Sequence, residues 1–177
     1  MNILLNTTRL FLRELNENDA PFIVELLNTE GWLRYIGDRH VHTIADAVKY
    51  IHNGPVSSYQ KYGYGLYLVA LKETETPVGI CGLIRRDHWE ETDIGFAFLP
   101  QFTGKGYAME AAAAVLADGK ERHHLERIIA ITLEENKASI RLLEKLGLSY
   151  EKRIIYENTG EELLQYAIQF HPGSEVS

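Results

Sequence analysis

The sequence predicts a mixed α/β (α+β) fold: a single domain with a mostly antiparallel central sheet and helices on both faces. Three observations predict it. Residues 64–99 carry three apolar, strand-patterned runs separated by turn signals, the pattern of an antiparallel meander. Helical and strand periodicities then alternate over 107–146, and two further strand-like runs close the chain. At 177 residues, 45% of them hydrophobic and 24% charged, the chain is long enough to bury one core.

Each element has a local reason. Residues 8–15 (TRLFLREL) alternate well enough for a first strand. Asn18 or Asp19 is expected to cap the following helix, with Pro21 in its first turn and Phe22, Ile23, Leu26 and Leu27 as its apolar face. Residues 28–41 mix aromatics with glycines and read as a loop with a short helix. Thr43 is placed to cap a helix over 45–51, which Gly54-Pro55 is expected to stop. Strands follow at 64–71, 78–84 and 92–99. The first turn lies over 72–77, and the charged residues 85–91 close the second. A helix is expected over about 107–120, a buried strand over 127–133 and a helix over 137–146 that Gly147 stops. The final strands, 150–156 and 162–170, are joined by Asn158-Thr159-Gly160. Residues 1–171 read as one domain and 172–177 as a flexible C-terminal tail. No internal repeat and no Pro-, Gly- or Ser-rich linker divides the chain.

Bulk properties narrow the function. A net charge of −7 argues against non-specific nucleic-acid binding and is compatible with cationic or amine-bearing partners. The N-terminal MNILLN has neither a basic region nor a long apolar stretch, and no run approaches membrane-spanning length, so a soluble cytoplasmic protein is expected. Cys81, the sole cysteine, sits in a strand pattern as a small core residue.

Residues 99–112 (LPQFTGKGYAMEAA) carry the strongest chemical signal. A strand-like run ends at Pro100, two glycines flank Lys105, and an alanine-rich helix follows directly. That order puts bare backbone N–H groups at the positive end of a helix, where a phosphate-bearing ligand can sit, and glycine keeps side chains out of its way. A Walker loop is excluded because Gly106 follows Lys105 and no glycine stands at the required distance before Gly104. A dinucleotide fingerprint is excluded because Met109 occupies its third glycine position. An ordinary strand-to-helix turn is the plain alternative.

The remaining match is Gln/Arg-x-x-Gly-x-Gly/Ala, read at Gln101, Gly104 and Gly106, which resembles the acetyl-CoA pyrophosphate loop of the GNAT acetyltransferases. A second block, Asn136, Ser139, Leu142, Lys145 and Gly147, is similar to the Asn-x-x-Ser-x-x-Leu-x-x-Lys-x-Gly segment of the ribosomal-protein N-terminal acetyltransferases (the Rim type). Residues 93–96 match the family's pattern of acidic, aliphatic, glycine and aromatic residues, and 32–37 resemble the segment before its second helix. Thr103 departs from the Trp or Gln often found before the first loop glycine, and Leu148 from the usual Phe.

The resemblance implies a GNAT fold with residues 1–171 as the N-acetyltransferase domain, and acetyl-CoA as co-substrate with no metal. It implies direct transfer of the acetyl group to a primary amine, without an acyl-enzyme. Pantetheine would lie along Phe96, Ala97, Phe98 and Leu99. The pyrophosphate would meet Gly104, Lys105, Gly106, Tyr107 and Ala108, beside Gln101. Asn136 and Ser139 would reach the cofactor arm, with helix capping as their plain alternative. Asp93 is the first candidate for the base and is equally readable as a solvated charge at a strand start; Glu91 and His88 rank behind it. Ser139 is the candidate acid, since the helix after Asn136 carries no tyrosine and Tyr150 falls beyond Gly147. Trp32 and Tyr35 are the candidates for substrate contact.

The acceptor is expected to be a protein N-terminal amine. A small amine (polyamine, aminoglycoside or amino acid) and a non-catalytic acyl-CoA sensor are the alternatives, and monomer and homodimer both stay open. His40-x-His42 and His123-His124 are not expected to hold a metal, for want of a carboxylate or cysteine at recognisable spacing.

Overall fold

A computed structural model describes residues 2–171 except Asp87, His88 and Asn158. The candidate His88, Asn158 of the last expected turn and the expected tail 172–177 lie outside the described residues.

Eight strands form one sheet: β1 (Ile3–Asn6), β2 (Leu10–Glu14), β3 (Leu66–Leu71), β4 (Pro77–Arg85), β5 (Thr92–Phe98), β6 (Arg127–Thr132), β7 (Ser149–Ile155) and β8 (Glu162–Gln169). Their order is β1-β2-β3-β4-β5-β6-β8-β7. All neighbours are antiparallel except β5 and β6. The expected meander is β3-β4-β5. The described residues also form six α-helices: α1 (Ala20–Leu27), α2 (Glu30–Tyr35), α3 (Ile44–Ile51), α4 (Ser57–Tyr62), α5 (Tyr107–Glu121) and α6 (Lys137–Lys145).

The central strands are apolar on both sides because each side faces a helical layer. Leu10, Leu12, Val69, Cys81 and Ile94 point to the core that α5 closes with Ala111, Ala112 and Val115, and α6 with Leu143. Phe11, Leu68, Ala70, Ile80 and Leu99 point the other way, against Ile23, Leu26 and Leu27 of α1 and Ala47 and Ile51 of α3. Period-two alternation therefore sorts two apolar sets rather than an apolar and a polar one.

Three local expectations are corrected. Asp19 stands at the N-cap position of α1, as one of the two expected residues, but its side chain makes no cap bond there. Asn16 instead opens a capping box around the 3-10 turn Glu17–Asp19, and the Asp19 carboxylate meets both terminal Arg13 nitrogens at 2.8 Å. Gly54-Pro55 does not stop the helix. The backbone widens into a π turn over His52–Val56, in which the Ser57 N–H reaches the His52 carbonyl, and this accommodates the proline ring until Gly63 (φ +80°) ends α4. The edge strand β1 was not expected from its sequence; it pairs with β2 and stays partly exposed, so it lacks a strong apolar signal.

Close packing of β3 on β4 depends on Gly82. A Cβ added there would stand 2.0 Å from the Gly65 carbonyl oxygen, a backbone atom that cannot rotate away. Gly82→Ala is expected to cost about 3 kcal/mol, read as a lower urea midpoint at unchanged slope. A wild-type midpoint would show that this strand pair yields more readily than its geometry implies.

Candidate active site

The sheet opens at one place. β5 and β6 run parallel and are registered at a single pair, Asp93 with Ile129, beyond which β5 continues to Phe98 without a registered partner on that side. The Leu99 N–H donates to the Val78 carbonyl at 2.9 Å, so the odd-numbered residues of β5 bond β4. By the strand's alternation, the N–H groups of Phe96 and Phe98 point into the gap. Main-chain donors inside a sheet need a partner, and a gap between diverging parallel strands is a place where a ligand can supply one. Phe96, Ala97 and Phe98 are half-buried along this edge, and Leu99 is buried.

At the carboxyl ends of β5 and β6 stand the two sequence motifs, one on each side, the usual position for ligand crevices in sheets with parallel strands. After β5 the chain makes a 3-10 turn (Pro100–Phe102), then passes through Gly104 (φ +75°) and Gly106 (φ +81°) before α5 starts at Tyr107. Both glycines adopt the left-handed conformation that side-chain-bearing residues rarely take. Nothing lies within 4 Å of a Cβ built at Gly104, so the loop's outer side is open. Gly106 caps α5 without a side chain, which leaves first-turn N–H groups at Tyr107 and Ala108 free to meet an anion. Gln101 and Lys105 are exposed, the Lys105 ammonium 5.8 Å from the Phe102 ring centroid.

The loop is braced by residues the sequence reading did not single out. Arg9 donates from Nη1 to the Lys105 carbonyl at 2.9 Å and from Nε to Glu110 Oε1 at 2.9 Å, and its guanidinium covers the Tyr107 ring at 4.5 Å. Glu110 also accepts from the Thr7 hydroxyl and the Arg9 N–H. Burial pushes the Glu110 carboxyl up, but the bonds from Thr7 and Arg9 outweigh it and hold it below its usual range. Glu110 thus carries its charge in the first turn of α5, where the helix dipole favours it.

On the other wall, Asn136 Oδ1 accepts from the Ser139 N–H at 3.3 Å and caps α6. The cap uses the amide's oxygen end only. Both side chains are half-buried.

Asp93 lies where β5 and β6 part, and it is 3% exposed, which overturns its reading as a solvated strand-start charge. Burial pushes its carboxyl up to about 6, with the nearby Arg86 guanidinium pulling the other way. Oδ2 lies 3.4 Å from Arg86 Nη2, while Oδ1 is buried with no hydrogen-bond partner among the described residues. Arg86 Nη1 also donates to the Tyr156 hydroxyl at 3.1 Å, and Tyr156 meets Trp89 edge-on at 6.4 Å. A pocket of about 280 Å³ next to this cluster is lined by Trp89, Glu91, Ile154, Tyr156 and Gln165. Arg86 and Tyr156 are 70 positions apart, and no local sequence signal joins them. Glu91 is held elsewhere: Arg127 Nε sits 3.1 Å from each of its carboxylate oxygens.

The remaining candidates divide. Trp32 is 6% exposed and packs in the α1–α3 core that also holds Leu99 and Phe102, its indole N–H without a hydrogen-bond partner among the described residues. Tyr35 is half-buried under the Arg34 guanidinium at 5.1 Å. Tyr150 is 54% exposed and packs edge-on against Tyr166. Cys81 is fully buried, and burial pushes its thiol far up, so a reactive thiolate is not available there. The premise that no carboxylate joins His40 and His42 is corrected: Asp38 stands with both.

Residues 9–149 match the family model for the acetyltransferase (GNAT) domain. YoaA of Bacillus subtilis (strain 168), an uncharacterized N-acetyltransferase, is 28% identical over 160 residues, covering 88% of this chain and 89% of YoaA. The structure of a GNAT-family acetyltransferase from Bacillus anthracis matches with a TM-score of 0.76 at 28% identity, covering 96% of this chain and 98% of that one. RimL, a ribosomal L7/L12 alpha-N-protein acetyltransferase solved with coenzyme A, shares the fold with a TM-score of 0.81 at 19% identity, over 96% and 98% of the two chains. A domain match over most of the chain, on a fold that recurs in solved acetyltransferases, assigns this protein to the GNAT acetyltransferase family.

Proposed function

We propose that the protein moves the acetyl group of acetyl-CoA to a protein N-terminal amine by direct attack, with residues 1–171 as the acetyltransferase domain. The observation that carries this reading is the placement of two sets of main-chain N–H groups, those of Phe96 and Phe98 facing the gap where β5 and β6 part, and those of Tyr107 and Ala108 at the open start of α5. That placement fits a coenzyme with a diphosphate at one end and an extended amide arm at the other. RimL, which shares the fold, binds coenzyme A. Here the diphosphate would take the N–H groups from Gly104 to Ala108, beside Gln101 and the Lys105 ammonium. The arm would pair along Phe96, Ala97 and Phe98 as far as Leu99, with Asn136 Nδ2 and Ser139 opposite. Acetyl-CoA supplies the thioester.

Asp93 takes the proton that the amine loses as it attacks, directly or through one water. Its carboxyl near 6 lies about 2 units below an α-ammonium, a mismatch of about 3 kcal/mol. Against a lysine ammonium the gap is about 4 units, or about 6 kcal/mol. That difference favours the α-amine as acceptor. Ser139 returns a proton to the departing thiolate, and Trp32 and Tyr35 form the wall toward the acceptor. The chemistry assigned to these residues uses no metal.

The test is release of free coenzyme A thiol with a panel of N-terminal peptides and small amines. Turnover with peptides, above that with polyamines, aminoglycosides and amino acids, is expected. Turnover only with the small amines would move the acceptor to that class. Tight coenzyme binding with no transfer to any amine would make the protein a sensor.

A further inference from the structure

We infer that Asp38, His40 and His42, on the connection between α2 and α3, form a binding site for a divalent transition-metal ion of the zinc type. One ligand atom from each lies within 4.8 Å of the others. Asp38 Oδ2 is 3.6 Å from His40 Nδ1, and Asp38 Oδ1 is 3.9 Å from His42 Nε2. These three residues play no part in the acetyl-transfer chemistry proposed above.

Convergence alone would be weak ground, because all three side chains are exposed. The residue behind them decides the matter. Asn28 donates from Nδ2 to the Val24 and Val41 carbonyls, each at 2.7 Å, so both of its amide protons are committed to backbone oxygens. Its Oδ1 must therefore be the atom 3.1 Å from His42 Nδ1. A carbonyl oxygen only accepts, so His42 Nδ1 carries the proton. Neutral His42 then has its lone pair on Nε2, the nitrogen turned toward the Asp38 carboxylate.

That lone pair and the carboxylate are both acceptors, so a donor or a cation placed between them satisfies both, and a metal ion does so while also engaging His40. An Nδ1–H held by a fixed amide oxygen is also the outer support that metal-binding imidazoles use to set their tautomer. The His42 main chain is pinned as well, its N–H donating to Asp46 Oδ2 at 3.1 Å.

Two imidazoles and one carboxylate suit a borderline ion such as Zn²⁺, with a fourth position open to water. Ligand bonds of about 2.0–2.1 Å in a tetrahedron put ligand atoms about 3.4 Å apart. The exposed side chains thus need to close by little more than an ångström. Bound there, the ion would fasten the α2–α3 connection, beside the helix that carries Trp32 and Tyr35.

The experiment titrates Zn²⁺ into the chelator-treated full chain, free of any purification tag, by calorimetry. Co²⁺ replaces Zn²⁺ in a parallel titration so that its visible absorption reports coordination. One-to-one saturable binding is expected, weakened at least tenfold in His42→Ala and in Asp38→Asn and unchanged in His52→Ala, whose imidazole pairs with Glu17 instead. Circular dichroism and the urea midpoint check that the variants remain folded. Absence of saturable binding, or affinity retained in both His42→Ala and Asp38→Asn, would overturn the assignment.

Discussion

Asp93→Asn is expected to lower kcat/KM for an N-terminal peptide at pH 7 by about 100-fold or more, the ordinary reach of a positioned base. In the wild-type enzyme the rate should climb through a limb near pH 6, as the buried carboxyl ionises. In the variant that limb should move toward about pH 8, where the α-amine loses its own proton, and the deficit should shrink as pH rises further. A loss of the same size at every pH would remove Asp93 from the proton's path.

Stability gives an independent readout of the same residue. The folded-state value near 6 lies above the value of about 3.9 expected in the unfolded chain. Between those limits the folded chain holds a proton that the unfolded chain has released, so stability falls as pH rises through that window. A shift of about two units corresponds to about 3 kcal/mol. Asp93→Asn has no carboxyl to ionise and should lose most of that fall between pH 4 and pH 7, measured by urea unfolding. An equally steep fall in the variant would place the titrating group elsewhere.

Gly104→Val is expected to weaken coenzyme A binding by about 100-fold. Two effects act together. At φ +75° a β-branched residue is strained, by about 1–3 kcal/mol, and its side chain would project into the open space over the loop. That space is where a diphosphate must approach to reach the N–H groups of α5. Arg9→Ala should weaken binding less, about tenfold, by releasing the Lys105 carbonyl and uncovering Tyr107 while leaving the main chain allowed. Calorimetry with coenzyme A measures both, with the urea midpoint as the check on folding. Wild-type affinity in Gly104→Val would mean that this turn does not receive the diphosphate.

Several features of the site were legible because their signals are local. Gln101, Gly104 and Gly106 lie within six positions, and the strand before them and the helix after them are each specified by their own periodicity. The cap at Asn136 and the stop at Gly147 are likewise short-range. Gly54-Pro55 misled because a helix has another way to house a proline, a π turn. Asp19 was legible as the residue before α1, but its carboxylate turns back to Arg13 and the Asn16 N–H instead of capping that helix.

The sequence by itself determined the order of elements apart from β1 and α4, the glycine loop and the asparagine block, and with them the family. Tertiary structure alone decided the electrostatics. It buried Asp93 and set Arg86 and Tyr156 beside it, braced the loop from Arg9 and Glu110, and placed Asn28 behind His42. The division is physical. Backbone preference and capping act over a few residues, whereas the charge state of a group depends on everything packed within a few ångströms, whatever its place in the chain.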